Sequence, residues 1–254
     1  MKFRDRLYVS TIASDAAALA AEHGLGLELA QFCIAENLDN ESGCPPEVAE
    51  QMRCARRFVL HGPYCELSPA SIDPLALALT RQRYLQATRM AANLGVSRIV
   101  IHTGYIPYVY EPCWMVERSV AFWKALLPEL PQDTMILLEN VMEDGPAIQR
   151  DILAAVNDRR LRACLDLGHA NAACSKTPAA DWIPVLAPWL SHVHIHNNFG
   201  DRDLHLPLGG GALPMEALLR QLEAACPDVT YTIETMAAAS SVDFLQSRGF
   251  LEQP

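Results

Sequence analysis

The feature that most constrains this chain is a rhythm. Short apolar runs of strand length alternate with longer stretches of helical periodicity. The strand-like runs are 7–10, 26–29, 58–61, 98–102, 135–139, 162–166, 192–196 and 230–234. The helical stretches between them carry their own punctuation. Stretch 14–23 stops at Gly24, and 46–56 has proline at an early helical position. Stretch 73–94 opens Asp-Pro and ends at Gly95, where a left-handed cap is expected. Stretch 114–127 runs into Pro128, and 145–156 begins Gly-Pro. Stretch 179–190 holds Pro184 and Pro188 and is expected to be short or broken. Stretches 214–225 and 240–248 complete the set. Strands separated by helices pair in parallel through right-handed crossovers. Eight such units in 254 residues predict an α/β chain folded as a single-domain (β/α)8 TIM barrel over 1–254. A doubly wound open sheet is the competing layout. No linker, repeat or low-complexity stretch marks a second domain.

Composition narrows the function classes. Half of the residues are hydrophobic and one fifth charged, enough for a large core. The net charge is −10, which argues against a protein that grips nucleic acid through phosphate contacts. No apolar run reaches the length of a membrane span, and the first residues, MKFRDRLYVS, do not read as a signal peptide. Eight cysteines without a C-x-x-C pair read as reduced thiols of a cytoplasmic protein.

In such a barrel the chemistry gathers where the strands end. The third strand ends in His61, the fourth in His102, the fifth in Glu139, and the sixth in Asp166 with His169 just beyond. The seventh carries His192, His194 and His196; Asp203 and His205 follow in its loop, and the eighth ends in Glu234. A lone histidine after a strand is usually a hydrogen-bonding residue. Carboxylates inside apolar runs such as ILLEN, ACLDLG and YTIET are harder to dismiss, because a buried carboxylate needs a metal, a cation or a proton. Imidazoles and carboxylates without cysteine suit a catalytic divalent metal: zinc, manganese or iron. Of the three histidines in HVHIH, the middle one is the ligand choice. His192 reads as a core or supporting residue, and His196 as a ligand, an acid–base group or a solvated side chain.

At these residues the sequence resembles the xylose isomerase-like barrel superfamily and, within it, the endonuclease IV branch (AP endonuclease family 2). HGPY at 61–64 looks like that branch's H-A-P-Y, and His102, Glu139-Asn140 and the D-x-x-H pair Asp166 and His169 fall in its pattern. So do His194, then Asp203, His205, Leu208, Gly209 and Gly211, and finally Glu234-Thr235. His196 and Asn197 depart from its usual Asn and Asp. The resemblance implies a metal set of His61, His102, Glu139, Asp166, His169, His194, Asp203, His205 and Glu234, holding up to three zinc ions. The superfamily's single-metal sugar isomerases and epimerases need only Glu139, Asp166, His194 and Glu234, with manganese or magnesium suiting them better. There the two glutamates also shuttle protons and the residue at His169 contacts substrate, so Glu139, Glu234 and His169 are the candidate catalytic residues. Tyr64, His196 and Arg202 are the candidate substrate contacts; for Arg202 a solvated loop charge is equally compatible. The branch's basic, aromatic DNA-reading loop is missing, since stretch 29–44 is acidic.

Two enzyme readings follow. Ligand count favours a multinuclear hydrolase acting on a phosphate ester of a small sugar phosphate or nucleotide, with metal-bound water as nucleophile. The alternative is a single-metal sugar or sugar-phosphate isomerase or epimerase using Glu139 and Glu234 as acid and base. A non-catalytic metal- or sugar-binding barrel is the third. All take a small-molecule partner; oligomeric state is not legible. The aromatic stretch Tyr105, Tyr108, Tyr110 and Trp114 reads as a lid, a substrate wall or an interface.

Overall fold

The computed structural model describes residues 2–39, 44–172 and 174–252. Of the acidic stretch 29–44, residues 40–43 lie outside the described residues. Eight parallel strands close into a barrel in sequence order, β1 to β8, with β1 also pairing β8. They are β1 Leu7–Ser10, β2 Gly26–Leu29, β3 Phe58–His61, β4 Arg98–His102, β5 Met135–Glu139, β6 Leu161–Asp166, β7 Leu190–Ile195 and β8 Thr230–Ile233. Between and after them run α1 Ala16–His23, α2 Glu36–Asp39, α3 Pro46–Met52, α4 Pro74–Asn93, α5 Pro112–Leu126, α6 Ala147–Val156, α7 Ala179–Leu186, α8 Met215–Ala225 and α9 Ala239–Ser247.

Local chemistry sets these bounds. Asp73 caps α4 by accepting the backbone N–H of Leu75 at 2.7 Å, and Pro74 stands at its first position. Gly24, at φ 66°, ends α1 in the left-handed region. Helix α7 contains Pro184 and stops at Leu186, four residues short of the predicted end. Strand β7 starts at Leu190, two residues before the predicted start, and releases His196 from the ladder.

Alternation along the strands sorts side chains into two environments. Leu7, Val9, Leu27, Leu29, Ile99, Ile101, Ile136, Leu138, Val193, Ile195, Tyr231 and Ile233 belong to the main core beneath the helices. The other face fills the barrel. A small apolar plug of Tyr8, Val59, Val100, Leu137 and Cys164 closes it from below. Gly26 makes room there, because a Cβ would lie 2.3 Å from the Tyr8 ring. Two residues further along the strands, the same face turns polar: Glu28 on β2, His61 on β3, His102 on β4, Glu139 on β5, Asp166 on β6 and His194 on β7. Register aligns them, with His102 opposite Glu139 and Asp166 opposite His194.

Candidate functional site

The apolar plug leaves the polar layer as the floor of an open cavity of about 360 Å³ at the C-terminal mouth of the barrel. His61, Tyr64, His102, Glu139, His169, Asp203, His205 and Glu234 all line it. Asp166 and His194 lie just beneath and are fully buried. All nine candidate ligands are therefore brought together. Tyr64 also lines the cavity, with its ring stacked on His102 at 4.4 Å. His196 is buried, with Nε2 3.0 Å from Asp166 Oδ2. Arg202 is exposed and is not among the lining residues.

The donors form adjoining groups. His61, His102 and Glu139 make one; Glu139, Asp166, His194 and Glu234 make a second; His169, His196, Asp203 and His205 make a third. In the second group, His194 Nδ1 lies 3.0 Å from both Glu139 Oε1 and Glu234 Oε2 and 3.7 Å from Asp166 Oδ2.

Four histidines share one wiring pattern. His61 Nδ1–H donates to the carbonyl of Gly62 at 3.0 Å, His169 Nδ1–H to that of Asn140 at 2.9 Å, and His205 Nδ1–H to that of Glu234 at 2.7 Å. His194 Nε2–H donates to Glu28 at 3.2 Å. A carbonyl or carboxylate only accepts, so each bond fixes a proton on one ring nitrogen and turns the other toward the carboxylates. Such anchoring is what metal-ligating histidines have. His205 holds its pose at φ 47°, in the left-handed region that non-glycine residues seldom enter, so the backbone is strained to aim this side chain.

The electrostatics ask for a cation. Glu139 Oε2 is buried without a hydrogen-bond partner, facing His61 Nε2 at 3.5 Å and His102 Nε2 at 3.3 Å. Without a metal, the protons on the histidines carry the compensating charge. Burial alone would lower the pKa of His61, but the buried carboxylates it faces, Glu139 foremost, lift it to about 9. Burial likewise opposes His205, yet the bond to Asp203 brings it to about 9. His194 also stands well above the usual imidazole value, against its burial, through the negative groups around it. Burial would raise Glu28, Glu139 and Asp166, but the neighbouring imidazoles hold all three well below the carboxylate range. For His102 burial prevails and pushes it down to about 4. An orphaned buried carboxylate oxygen and histidines anchored to present a free nitrogen fit a divalent metal.

Glu28 is the residue that strand-end reasoning passed over. It is fully buried, accepts Thr232 Oγ1–H at 2.6 Å, and has the Nε2 atoms of His192 and His194 each at 3.2 Å. Its signal was an acidic residue inside the apolar run GLEL. His192 is fully buried behind it.

Residues 14–251 match the family described as xylose isomerase-like TIM barrel. The chain belongs to this family. Curated relatives of this barrel include an uncharacterized protein of Methanocaldococcus jannaschii, 28% identical over 190 residues, which are 70% of this chain and 64% of that protein. Another is a probable endonuclease 4 of Mycobacterium leprae, 24% identical over 200 residues, covering 74% of this chain and 77% of that one. Among solved structures, a D-tagatose 3-epimerase-like protein superposes with a TM-score of 0.76 at 22% identity, covering 96% of both chains. A Thermus thermophilus protein soaked with zinc chloride gives 0.72 at 27% identity, covering 96% of this chain and 97% of that one. The family and these neighbours are consistent with an enzyme.

Proposed function

We propose that the protein is a divalent-metal-dependent epimerase or isomerase of a sugar or a similar polyhydroxy carbonyl compound. The observation that carries this reading is the four-donor centre. Glu139 and Glu234 each approach His194 Nδ1 to 3.0 Å, Asp166 completes the set, and among the described residues no lysine or arginine lines the cavity above. Glu139, Asp166, His194 and Glu234 would hold the ion, which when bound supplies Lewis acidity to a carbonyl and its neighbouring hydroxyl. The rest falls to the chain. The carboxylates of Glu139 and Glu234 take a proton from one carbon and return it from the other side. His169, at the cavity wall, holds a substrate oxygen. Tyr64 and the closed floor keep water away from the exchanging carbon. This isomerisation reading takes precedence over phosphate-ester hydrolysis, because an epimerase-like neighbour shares the whole barrel and, among the described residues, the cavity offers no lysine or arginine to a phosphate.

Multinuclear hydrolysis stays as a second reading for one reason: the first and third donor groups flank the four-donor centre, more ligands than a single ion needs. The test is to incubate manganese-loaded protein with a panel of ketoses in deuterium oxide and follow carbon-bound deuterium by NMR. Exchange that disappears in Glu139→Gln and Glu234→Gln supports the proposal. No exchange across the panel, together with about three tightly held zinc ions per chain and turnover of phosphate esters, would replace it with the hydrolase.

A further inference from the structure

Beside the donor cluster lies a second cavity of about 320 Å³ with a different character. It shares Tyr64, His102 and Val141 with the first, so the two are continuous. Beyond those shared residues its walls are mostly apolar or aromatic, chiefly Leu67, Tyr105, Ile106, Tyr110 and Met142, with Cys65, Ser68 and the exposed Glu66 as their polar part. Ile106 is 47% exposed and Met142 43% exposed, large apolar side chains left facing the opening. Among the described residues, no lysine or arginine lines either cavity.

The second cavity is built rather than incidental. Its walls come from the loops after β3, β4 and β5, and these are tied together. Gly104 stands at φ 72°, and a Cβ there would lie 2.8 Å from the carbonyl oxygen of Leu67 and 2.9 Å from Ser68 Cα, so only glycine lets the second loop close on the first. Thr103 donates to the buried Glu143, which also accepts the backbone N–H of Val141 at 2.7 Å, pinning the second loop to the third. A preformed apolar wall costs little to order when a ligand enters.

We propose that this cavity is a second substrate subsite, taking an apolar alkyl or aryl substituent of a neutral polyhydroxy carbonyl compound whose polar end meets the donor cluster. The inference rests on the metal-dependent reading above and narrows its substrate class: a sugar derivative with an apolar arm, not a sugar phosphate. A terminal phosphate in this cavity would be desolvated without a cationic partner, whereas each methylene placed against these side chains gains affinity.

Alkyl hydroxamates test this without knowledge of the sugar, since the hydroxamate chelates a divalent ion and carries the arm. Aceto-, butano-, hexano- and benzohydroxamate are titrated into manganese-loaded protein by calorimetry. Affinity should climb by about fourfold per buried methylene, the equivalent of about 0.8 kcal/mol, until the cavity fills. Ile106→Asp and Met142→Glu should flatten that climb. A flat series on the wild-type protein, with acetohydroxamate bound, overturns the subsite and leaves the metal reading standing. A terminal phosphate on the hexano chain that tightens binding overturns the neutral-substrate claim. If no hydroxamate binds, the metal reading fails instead, and cyclohexanol titrated into protein with labelled methyl groups decides the cavity. Shifts at Ile106 and Met142 keep the subsite; silent methyls remove it.

Discussion

Changing Glu28 to Gln removes one buried charge while keeping the shape of the side chain. The carboxylate lies beneath the donor centre and reaches His194 Nε2 at 3.2 Å through Oε2, with Oε1 3.0 Å from the same nitrogen. Because it only accepts, it fixes the His194 proton on Nε2 and turns Nδ1 toward Glu139, Asp166 and Glu234. Glutamine presents an amide N–H as well as an oxygen, and Thr232 Oγ1 already donates to this group at 2.6 Å. Where the N–H meets His194, the imidazole must accept on Nε2 and carry its proton on Nδ1, which blocks the metal. Loss of such a supporting hydrogen bond typically weakens metal binding by about 10- to 100-fold, or about 1.4–2.7 kcal/mol. Folding should be less affected, because the amide retains the Thr232 bond and loses a charge from a site crowded with carboxylates. The assay is competition against a fluorescent chelator at pH 7.5, paired with long-range nitrogen–proton NMR to read the His194 tautomer. A metal Kd within twofold of wild type, with the tautomer unchanged, would refute the reasoning. A weaker Kd with an unchanged tautomer would assign the loss to charge alone.

Other perturbations probe separate parts of the site. Gly168→Ala puts a Cβ 1.9 Å from His196 Cε1, where the ring is buried and stacked on His205 at 4.0 Å, so overpacking should cost about 1–3 kcal/mol; an unchanged Tm would contradict it. The metal-free protein should be most stable near about pH 6.5. His61 and His205, lifted to about 9, contribute fully below the unfolded value and lose it as pH rises toward 9, whereas His102 and His192, pushed down to about 4, lose theirs as pH falls from the unfolded value toward 4. A Tm that climbs steadily through alkaline pH would count against these assignments. His205→Ala separates the two enzyme readings: it should raise KM in an epimerase but abolish turnover in a three-metal hydrolase, both read from steady-state kinetics.

The barrel was legible because its determinants are local. Glycine and proline mark the helix ends, and parallel strands separated by helices leave few topologies. The misses lie where tertiary contacts override those signals. Leu190 and Ser191 join β7 although they follow Pro188 and a tryptophan, because the ladder with β6 shifts register between Ala163 and Cys164 to accept them. Helix α7 is no such miss: it stops at Leu186, the short helix that Pro184 and Pro188 led the sequence to predict.

The site was legible to the extent that its residues end strands. Glu28 shows the limit of that rule. It is as deeply buried as Glu139 and as apolar in its sequence surroundings, but Leu29 closes its strand. Counting strand ends finds the groups that reach the cavity. The question of what pays for a carboxylate inside an apolar run finds those beneath it as well, and only that second question applies equally to Glu28, Glu139, Asp166 and Glu234. What no single-chain pattern supplies is the pairing across the barrel. Glu28 and His194 are 166 positions apart, and their contact exists only because closure brings β2 and β7 to face one another across the interior. The same closure gathers the nine candidate ligands from six strands and their loops around one cavity. The proposed Lewis-acid centre would therefore be a property of barrel geometry, whereas the proposed choice of substrate would fall to the loops that wall the second cavity.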